Sequence, residues 1–160
     1  MAKTELEAAI MALGLQEVLP EKVRPSLELR KYAPGEALCA MGEEIPRFSI
    51  LTQGRCRVVT LSGEGRQVMV GALRPPEMNG DIELLHGCPA LHSVYAETTV
   101  TAISIPRNVF LGVMMEQLPF VQLLCRGFAA KLCDTSSKHS ADLLYPLKSR
   151  LARHILSYQN

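Results

Sequence analysis

Apolar side chains recur at helical spacing near the N-terminus. From Thr4 to Val23 they return every three or four positions, with Gly14 as an interruption and Pro20 as a stop signal. We therefore predict that residues 1–25 form an N-terminal helical segment of one or two short helices.

From Ser26 onward the pattern changes to short strand-like runs separated by turn-forming residues. Gly63, Glu64 and Gly65 lie between two apolar runs and predict a tight hairpin. Short strands at this spacing are typical of an antiparallel roll, sandwich or barrel. The predicted strands cover residues 27–32, 37–41, 48–52, 56–61 and 68–73.

A last strand system is predicted from Val94 to Ile105. Val94 and Ala96 alternate in one phase, and Ile103 and Ile105 alternate in the opposite phase. Because side chains alternate between the two faces of a strand, this reversal predicts a bulge or bend between the pairs. Pro106 ends the system.

Beyond Pro106 the spacing becomes helical again. We predict a short helix over residues 107–117, then a long helix over 119–145 with Pro119 in its first turn, and a final helix within 146–160. The long helix carries an apolar stripe, more apolar than packing on a small roll requires. We predict that this stripe forms a homodimer interface, and packing on its own roll alone is the alternative. The stripe contains Val121, Leu124, Phe128 and Leu132, with Cys125 and Ala129 beside them.

Composition indicates an ordinary folded domain that stays in the cytoplasm. Hydrophobic residues make up 48% of the chain and charged residues 21%. No run approaches the length of a membrane span, and acids stand at the N-terminus where a signal peptide needs an apolar stretch. Five cysteines without close pairing predict free thiols.

Charge is unevenly distributed along the chain. Residues 1–119 carry 11 Lys and Arg against 14 Asp and Glu, a net of −3, whereas residues 120–160 carry 6 against 2, a net of +4. The C-terminal part is therefore the better candidate for approaching a polyanion, although solvated helix faces explain the same count.

The order of roll, short helix, long helix and a short helix starting Ser149-Arg150-Leu151-Ala152 resembles the catabolite activator and Fnr (Crp/Fnr) family of bacterial transcription regulators. The resemblance covers residues 26–158 and is carried by motifs in the same order as in the family. These motifs are Pro34-Gly35-Glu36, Gly42-Glu43, Gly54, the hairpin glycines, Leu73 to Gly80, and the cassette Gly80-Asp81-Ile82-Glu83-Leu84-Leu85.

The resemblance implies a mainly β fold with helices. It implies an antiparallel, jelly-roll-like β-roll of the cyclic-nucleotide-binding type over residues 26–118, flanked by N-terminal helices and a long C-terminal dimerisation helix. It also implies ligand-binding residues in the cassette and a hydroxyl pair on the long helix. The candidate ligand-binding residues are Gly80, Asp81, Ile82, Glu83, His92, Ser136 and Ser137.

One departure concerns the phosphate of a cyclic nucleotide. Family members that bind cyclic AMP use a helix N-terminus and an Arg about ten residues later to hold the anion. The sequence has no Arg between Arg74 and Arg107, and the expected place falls at Ala90, Leu91 or His92. We therefore predict an effector other than a cyclic nucleotide, with no required cofactor. The alternatives are a substitute donor such as His92, or a ligand-free dimerisation scaffold.

A second departure concerns DNA binding. In the family a helix-turn-helix follows the Arg-Leu-Ala helix, and no residues follow Asn160 to supply it. We expect either a chain cut at the domain boundary, which would contact DNA through that downstream module, or a stand-alone sensor.

Other chemistry has weaker support. His86, Cys88 and His92 are soft metal ligands, but their spacing matches no standard site, and we predict no metal. Cys125 and Cys133 are expected to pack in the core or an interface. No nucleophile motif, phosphate loop or zinc-protease motif is present, and the histidines do not suit a cupin oxygenase, so we predict that the chain is not an enzyme.

Overall fold

The computed structural model describes residues 2–144 and Ser149. The chain divides into two units, Met1–Leu123 and Leu124–Asn160, which are described separately. The predicted final helix over 146–160 lies outside the described residues, apart from Ser149.

The described elements confirm the predicted alternation of helices, strands and helices. They are α1 (Ala2–Ala12), a 3-10 turn (Arg24–Ser26), β1 (Glu28–Tyr32), β2 (Ala37–Cys39), β3 (Arg47–Gln53), β4 (Cys56–Leu61), β5 (Gln67–Leu73), β6 (Met78–Asn79), α2 (Asp81–His86), β7 (Ser93–Ala96), β8 (Val100–Pro106), α3 (Arg107–Val109), a π-helical turn (Phe110–Met114) and α4 (Leu118–Leu144).

The first unit contains two four-stranded antiparallel sheets, as predicted for the roll. The first sheet has the order β1-β8-β3-β6 and the second has the order β2-β7-β4-β5. The predicted hairpin joins β4 to β5, and its turn is closed by the Ser62 N–H, which donates to the Arg66 carbonyl at 2.8 Å. The mainly β fold with helices is therefore confirmed.

The core lies between the two sheets. Tyr32, Leu51, Val100 and Ala102 come from the first sheet and pack against Cys56, Val94 and Ala96 of the second. Full burial of a large apolar side chain contributes roughly 1.5–3 kcal/mol. The cluster thus explains why these short strands, which could not persist singly, form a stable roll.

The opposite phases of residues 94–96 and 103–105 have a different cause from the predicted bulge. Glu97 to Thr99 separate two strands, β7 in the second sheet and β8 in the first. Every residue from Val100 to Ile105 is buried, because β8 lies between β1 and β3 and is covered on both faces. The strand system predicted from Val94 to Ile105 is therefore two strands, and the predicted bend lies between them.

A trio of aromatic rings joins the roll to the helices that follow it. Phe48 of β3 stacks on Phe110 with ring centroids 4.8 Å apart, and Phe120 of α4 meets both rings edge-on. All three side chains are fully buried. The trio fixes the position of the short helix and of the first turn of α4 on the first unit.

The short helix after Pro106 differs from its prediction. α-Helical geometry covers only Arg107–Val109 and continues as a π-helical turn, in which Gly112 has the non-helical angles φ −94° and ψ −105°. In the second unit, α4 continues from Leu124 with mostly exposed side chains. Leu132 is 71% exposed, and Cys125 and Cys133 are also exposed. Neither cysteine packs in a core, whereas packing of the two cysteines in an interface stays a prediction.

Candidate effector site

The cassette begins at a glycine that the backbone requires. Gly80 has φ +85°, and a Cβ there would lie 3.0 Å from Ile45 Cγ2 and 3.2 Å from the Arg47 carbonyl oxygen. It forms the N-cap of α2, and left-handed Gly87 ends the same helix. The N–H groups of Gly87 and Cys88 both donate to the Glu83 carbonyl, at 2.8 and 3.1 Å. This helix of six residues is therefore fixed at both ends.

The three predicted ligand residues that follow Gly80 differ in exposure. Asp81 is buried, with 2% of its surface exposed, and it has an interaction partner in the structure. Ile82 is 42% exposed, and Glu83 is half-buried. Glu83 is therefore the acidic side chain of the cassette that is positioned to reach the loop beyond α2.

The loop from Cys88 to His92 is held at the place where the resemblance expects an Arg. The buried Ala90 donates its N–H to the Glu43 carbonyl and accepts from the Gly42 N–H, both at 2.8 Å. The next N–H, that of Leu91, donates to Glu83 Oε1 at 3.4 Å. A carboxylate thus faces the loop beside Ala90 and Leu91, two of the positions where the resemblance expects an Arg.

His92 lies at the inner side of this loop. Its Nδ1 atom is buried and has no hydrogen-bond partner among the described residues, while its carbonyl accepts from the Cys39 thiol at 3.7 Å. Cys39 Sγ also lies 3.9 Å from the side-chain oxygen of Asn79. β2, β6 and the cassette loop therefore meet around one thiol.

The environment of Cys39 keeps this thiol protonated. Burial raises the pKa of the Cys39 thiol, and the negative charges of Glu83 and Glu43 raise it further, whereas the hydrogen bond with Asn79 opposes the shift. Two carboxylates therefore act on this part of the site. The sequence has no Lys or Arg between Arg74 and Arg107.

The structure brings together most of the predicted site and adds to it. Gly80, Asp81, Ile82, Glu83 and His92 all lie in the first unit around α2 and its loop, whereas Ser136 and Ser137 are exposed on α4 in the second unit. Sequence reasoning missed two residues that contact the loop and one that contacts the Cys39 thiol, because they are more than 30 positions away from the loop or lie in a two-residue strand. They are Cys39, Glu43 and Asn79.

The described residues contain neither a metal-binding cluster nor a single membrane-spanning helix. No three His, Cys, Asp or Glu side chains among them lie close enough to hold a metal ion. Within the same residues no single helix is long and apolar enough to cross a membrane, and only Arg107–Met114 and Leu118–Ser137 taken together, bent by 113°, reach that length and hydropathy.

Comparison with known proteins identifies the family. The cyclic nucleotide-binding domain model matches residues 29–117, and the chain belongs to this family, whose members are typically regulatory and non-catalytic. A CRP-like cAMP-activated global transcriptional regulator from Mycobacterium tuberculosis is 24% identical over 126 residues, covering 78% of this chain and 56% of that protein. The chain spans about half the length, or less, of the curated relatives it matches.

Solved structures share the fold. Thermus thermophilus catabolite activator protein gives a TM-score of 0.63 at 19% identity, covering 84% of this chain and 61% of that one. The regulatory subunit of a cAMP-independent protein kinase A from Trypanosoma brucei, as a triple variant bound to cAMP in its A site, gives 0.63 at 17% identity, covering 81% and 51%. The fold is thus common to bacterial regulators and kinase regulatory subunits.

Proposed function

We propose that this chain is the effector-sensing and dimerisation part of a bacterial Crp/Fnr-type transcription regulator, acting in the cytoplasm, and that its effector is not a cyclic nucleotide. The observation that carries the second part is the Glu83 carboxylate on the Leu91 N–H. An anionic phosphodiester would meet this carboxylate instead of an Arg.

Without an Arg, this site lacks the ion pair that would add affinity for the phosphate of a cyclic nucleotide. A hydrogen bond to a charged group contributes roughly 1.5–3 kcal/mol, which corresponds to about 10- to 150-fold in affinity. Glu83 adds like-charge repulsion and occupies a backbone N–H. Both effects favour exclusion of cyclic AMP by this pocket.

The trypanosome kinase subunit supports the same reasoning. That protein is described as cAMP-independent, and its cAMP-bound variant replaces a glutamate by alanine, a threonine seven positions later by arginine, and the next valine by alanine. Glu83, Ala90 and Leu91 have this spacing. We propose that these three residues disfavour cyclic AMP in this chain.

The test is a gain of cyclic AMP binding. We expect no saturable binding to the wild-type chain in titration calorimetry, and binding by the triple variant Glu83→Ala/Ala90→Arg/Leu91→Ala at least 100-fold tighter. At a hundredfold excess over Kd the ligand would add about 2.7 kcal/mol to the stability of the variant.

A matched control separates the effect of the Arg charge from the effect of the smaller side chains at positions 83 and 91. The variant Glu83→Ala/Ala90→Met/Leu91→Ala has a side chain of similar length without the charge and is expected not to bind. Tight binding of cyclic AMP by the wild-type chain would contradict the proposal and favour a substitute donor such as His92. A triple variant that folds, judged by circular dichroism, yet fails to bind would also contradict it.

We further propose that α4 forms a homodimer and passes an effector-dependent change to a DNA-binding module. The support is the large apolar surface that Leu132 exposes, 71%, on the predicted stripe. Val121 and Phe128 are half-buried, whereas Leu124 is only 1% exposed in the single chain. Leu132 is therefore the stripe residue with the most surface for a partner. An effector that binds one helix arrangement better would shift the dimer toward it.

Sedimentation equilibrium tests the dimer. Leu132→Asp is expected to weaken self-association at least tenfold, because it puts a charge into an apolar contact. Ala130→Asp places the same charge on an exposed position of α4 about 160° from Leu132 around the helix axis and is the control. A wild-type chain that remains monomeric at micromolar concentration would refute the assignment.

A further inference from the structure

A cavity lies on the outer face of the first sheet, and no cassette residue lines it. It has a volume of about 420 Å³ and opens to solvent between α1 and strands β1, β3 and β8. We call it the α1 groove. It is lined by Glu5, Ala8, Ala9, Ala12, Leu13, Leu29, Lys31, Thr52, Gln53 and Thr101.

The α1 groove exists because of how α1 is anchored. Leu6 and Ile10 are buried, with 5% and 0% of their surfaces exposed, and they hold the helix on the roll. Ala8, Ala9 and Ala12 form the neighbouring face and have no atoms beyond Cβ. Space therefore remains between this face and the strands below it.

The floor of the α1 groove is a polar row across three strands. Lys31 of β1 and Gln53 of β3 both pair with Thr101 of β8 in the antiparallel register. Thr101 is 7% exposed. At the mouth, Lys31 Nζ lies 3.1 Å from Glu5 Oε2, and both side chains are more than half exposed. An amine and a hydroxyl therefore stand at one side of an apolar wall.

We propose that the α1 groove binds a medium-chain aliphatic carboxylate, with its head group on Lys31 and its chain along the alanine face of α1. The volume lies within the roughly 300–1,000 Å³ typical of ligand pockets. From Glu5 to Ala12 the helix rises about 10 Å at about 1.5 Å per residue, which an extended octanoate spans. The positive charge of the Lys31 ammonium complements a carboxylate, which is why we assign an acid to the groove and not an alcohol.

Lys31 is available for this exchange. Exposed ion pairs contribute little to stability, so a ligand carboxylate can replace Glu5 on the Lys31 ammonium without a large loss. Glu5 thereby competes with the ligand. This competition gives the two members of the ion pair opposite effects on affinity, which a merely structural ion pair would not produce.

The experiment is titration calorimetry of octanoate, below its micelle concentration, against the full chain and single variants. We expect saturable one-to-one binding, at least tenfold weaker binding to Lys31→Met, and tighter binding to Glu5→Gln. Ala12→Leu fills the groove and should abolish binding. Lys3→Met and Glu17→Gln are controls at exposed positions outside the groove and should leave the Kd unchanged.

Four results would overturn the proposal. The first is no saturable binding at millimolar octanoate, and the second is binding that survives Ala12→Leu. The third is equal affinity for octanol, which would remove the role of Lys31. The fourth is tighter binding of octanoate to Glu83→Ala, which would place octanoate in the cassette instead. Acetate is expected not to bind, because it lacks the chain.

Discussion

Replacing Gly54 by Ala tests a close approach between two backbone segments of the roll. Gly54 follows β3 with φ +87°, and a Cβ there would overlap the Thr99 carbonyl oxygen and lie 2.9 Å from the Val100 Cα atom. Both neighbours are backbone atoms at the start of β8, so no side-chain rotation relieves the overlap. The strand itself would have to move.

The magnitude follows from two contributions. Holding a residue with a Cβ in the left-handed region costs roughly 1–2 kcal/mol, and overpacking that forces a backbone shift costs about 1–3 kcal/mol more. Gly54→Ala is therefore expected to lower the free energy of unfolding by about 2–5 kcal/mol. Gly87→Ala is the control, because Gly87 has φ +76° but nothing within 4 Å of the added Cβ. Gly87→Ala should therefore be destabilised only by the cost of the left-handed conformation, about 1–2 kcal/mol.

Urea unfolding followed by circular dichroism measures both variants. Equal m-values would show that the same surface is exposed in each, so that the midpoints report stability. The reasoning would be refuted if Gly54→Ala were no less stable than Gly87→Ala. It would also fail if both variants matched the wild-type chain, because the left-handed cost would then be absent.

Two further predictions concern the core. Burial raises the pKa of the Cys56 thiol to about 11, whereas the thiol of an unfolded chain has a pKa near 8.5. Between these two pH values the unfolded state binds fewer protons than the folded state. The free energy of unfolding should therefore fall as pH rises through this range. Cys56→Ala should flatten the change in urea midpoint between pH 8 and pH 10.5, and an unchanged slope would contradict this assignment. Phe48→Ala should cost about 3–5 kcal/mol in urea unfolding, because it empties the aromatic trio. Leu61→Ala, at a position 52% exposed, should cost about 0.5 kcal/mol or less, and similar losses in both would argue against the trio.

Local pattern was enough to predict the elements that lie between turn-forming residues. The run from Cys56 to Leu61 has the predicted bounds, because Gly54 precedes it and the turn from Ser62 to Gly65 follows it. β6 was missed because two residues, Met78 and Asn79, are too few to show any periodicity. β7 and β8 were predicted within one strand system, and their assignment to different sheets was not predictable, because it depends on which distant strands they pair with.

The site depends on contacts that the sequence does not display. The cassette was predictable from Gly80 to Glu83, since these residues are consecutive. The contact between Cys39 and His92 joins positions 53 residues apart, and it exists only because β2 pairs with β7. Likewise, the α1 groove exists because the short side chains of Ala8, Ala9 and Ala12 leave space above the strands. A pattern of apolar positions shows which residues are buried but not where a cavity remains.

The placement of β8 between β1 and β3 also bears on how the chain folds during synthesis. β1 ends at Tyr32, yet its partner is not complete until Pro106 has been made, and the register joins Glu28 to Ser104. Pairings between such distant segments slow folding, because loop closure must come before the contacts that repay it. On a ribosome, α1 and β1 would keep their apolar faces exposed until β8 has been synthesised. A chaperone that binds exposed apolar surface would therefore find most of it on this chain during that interval.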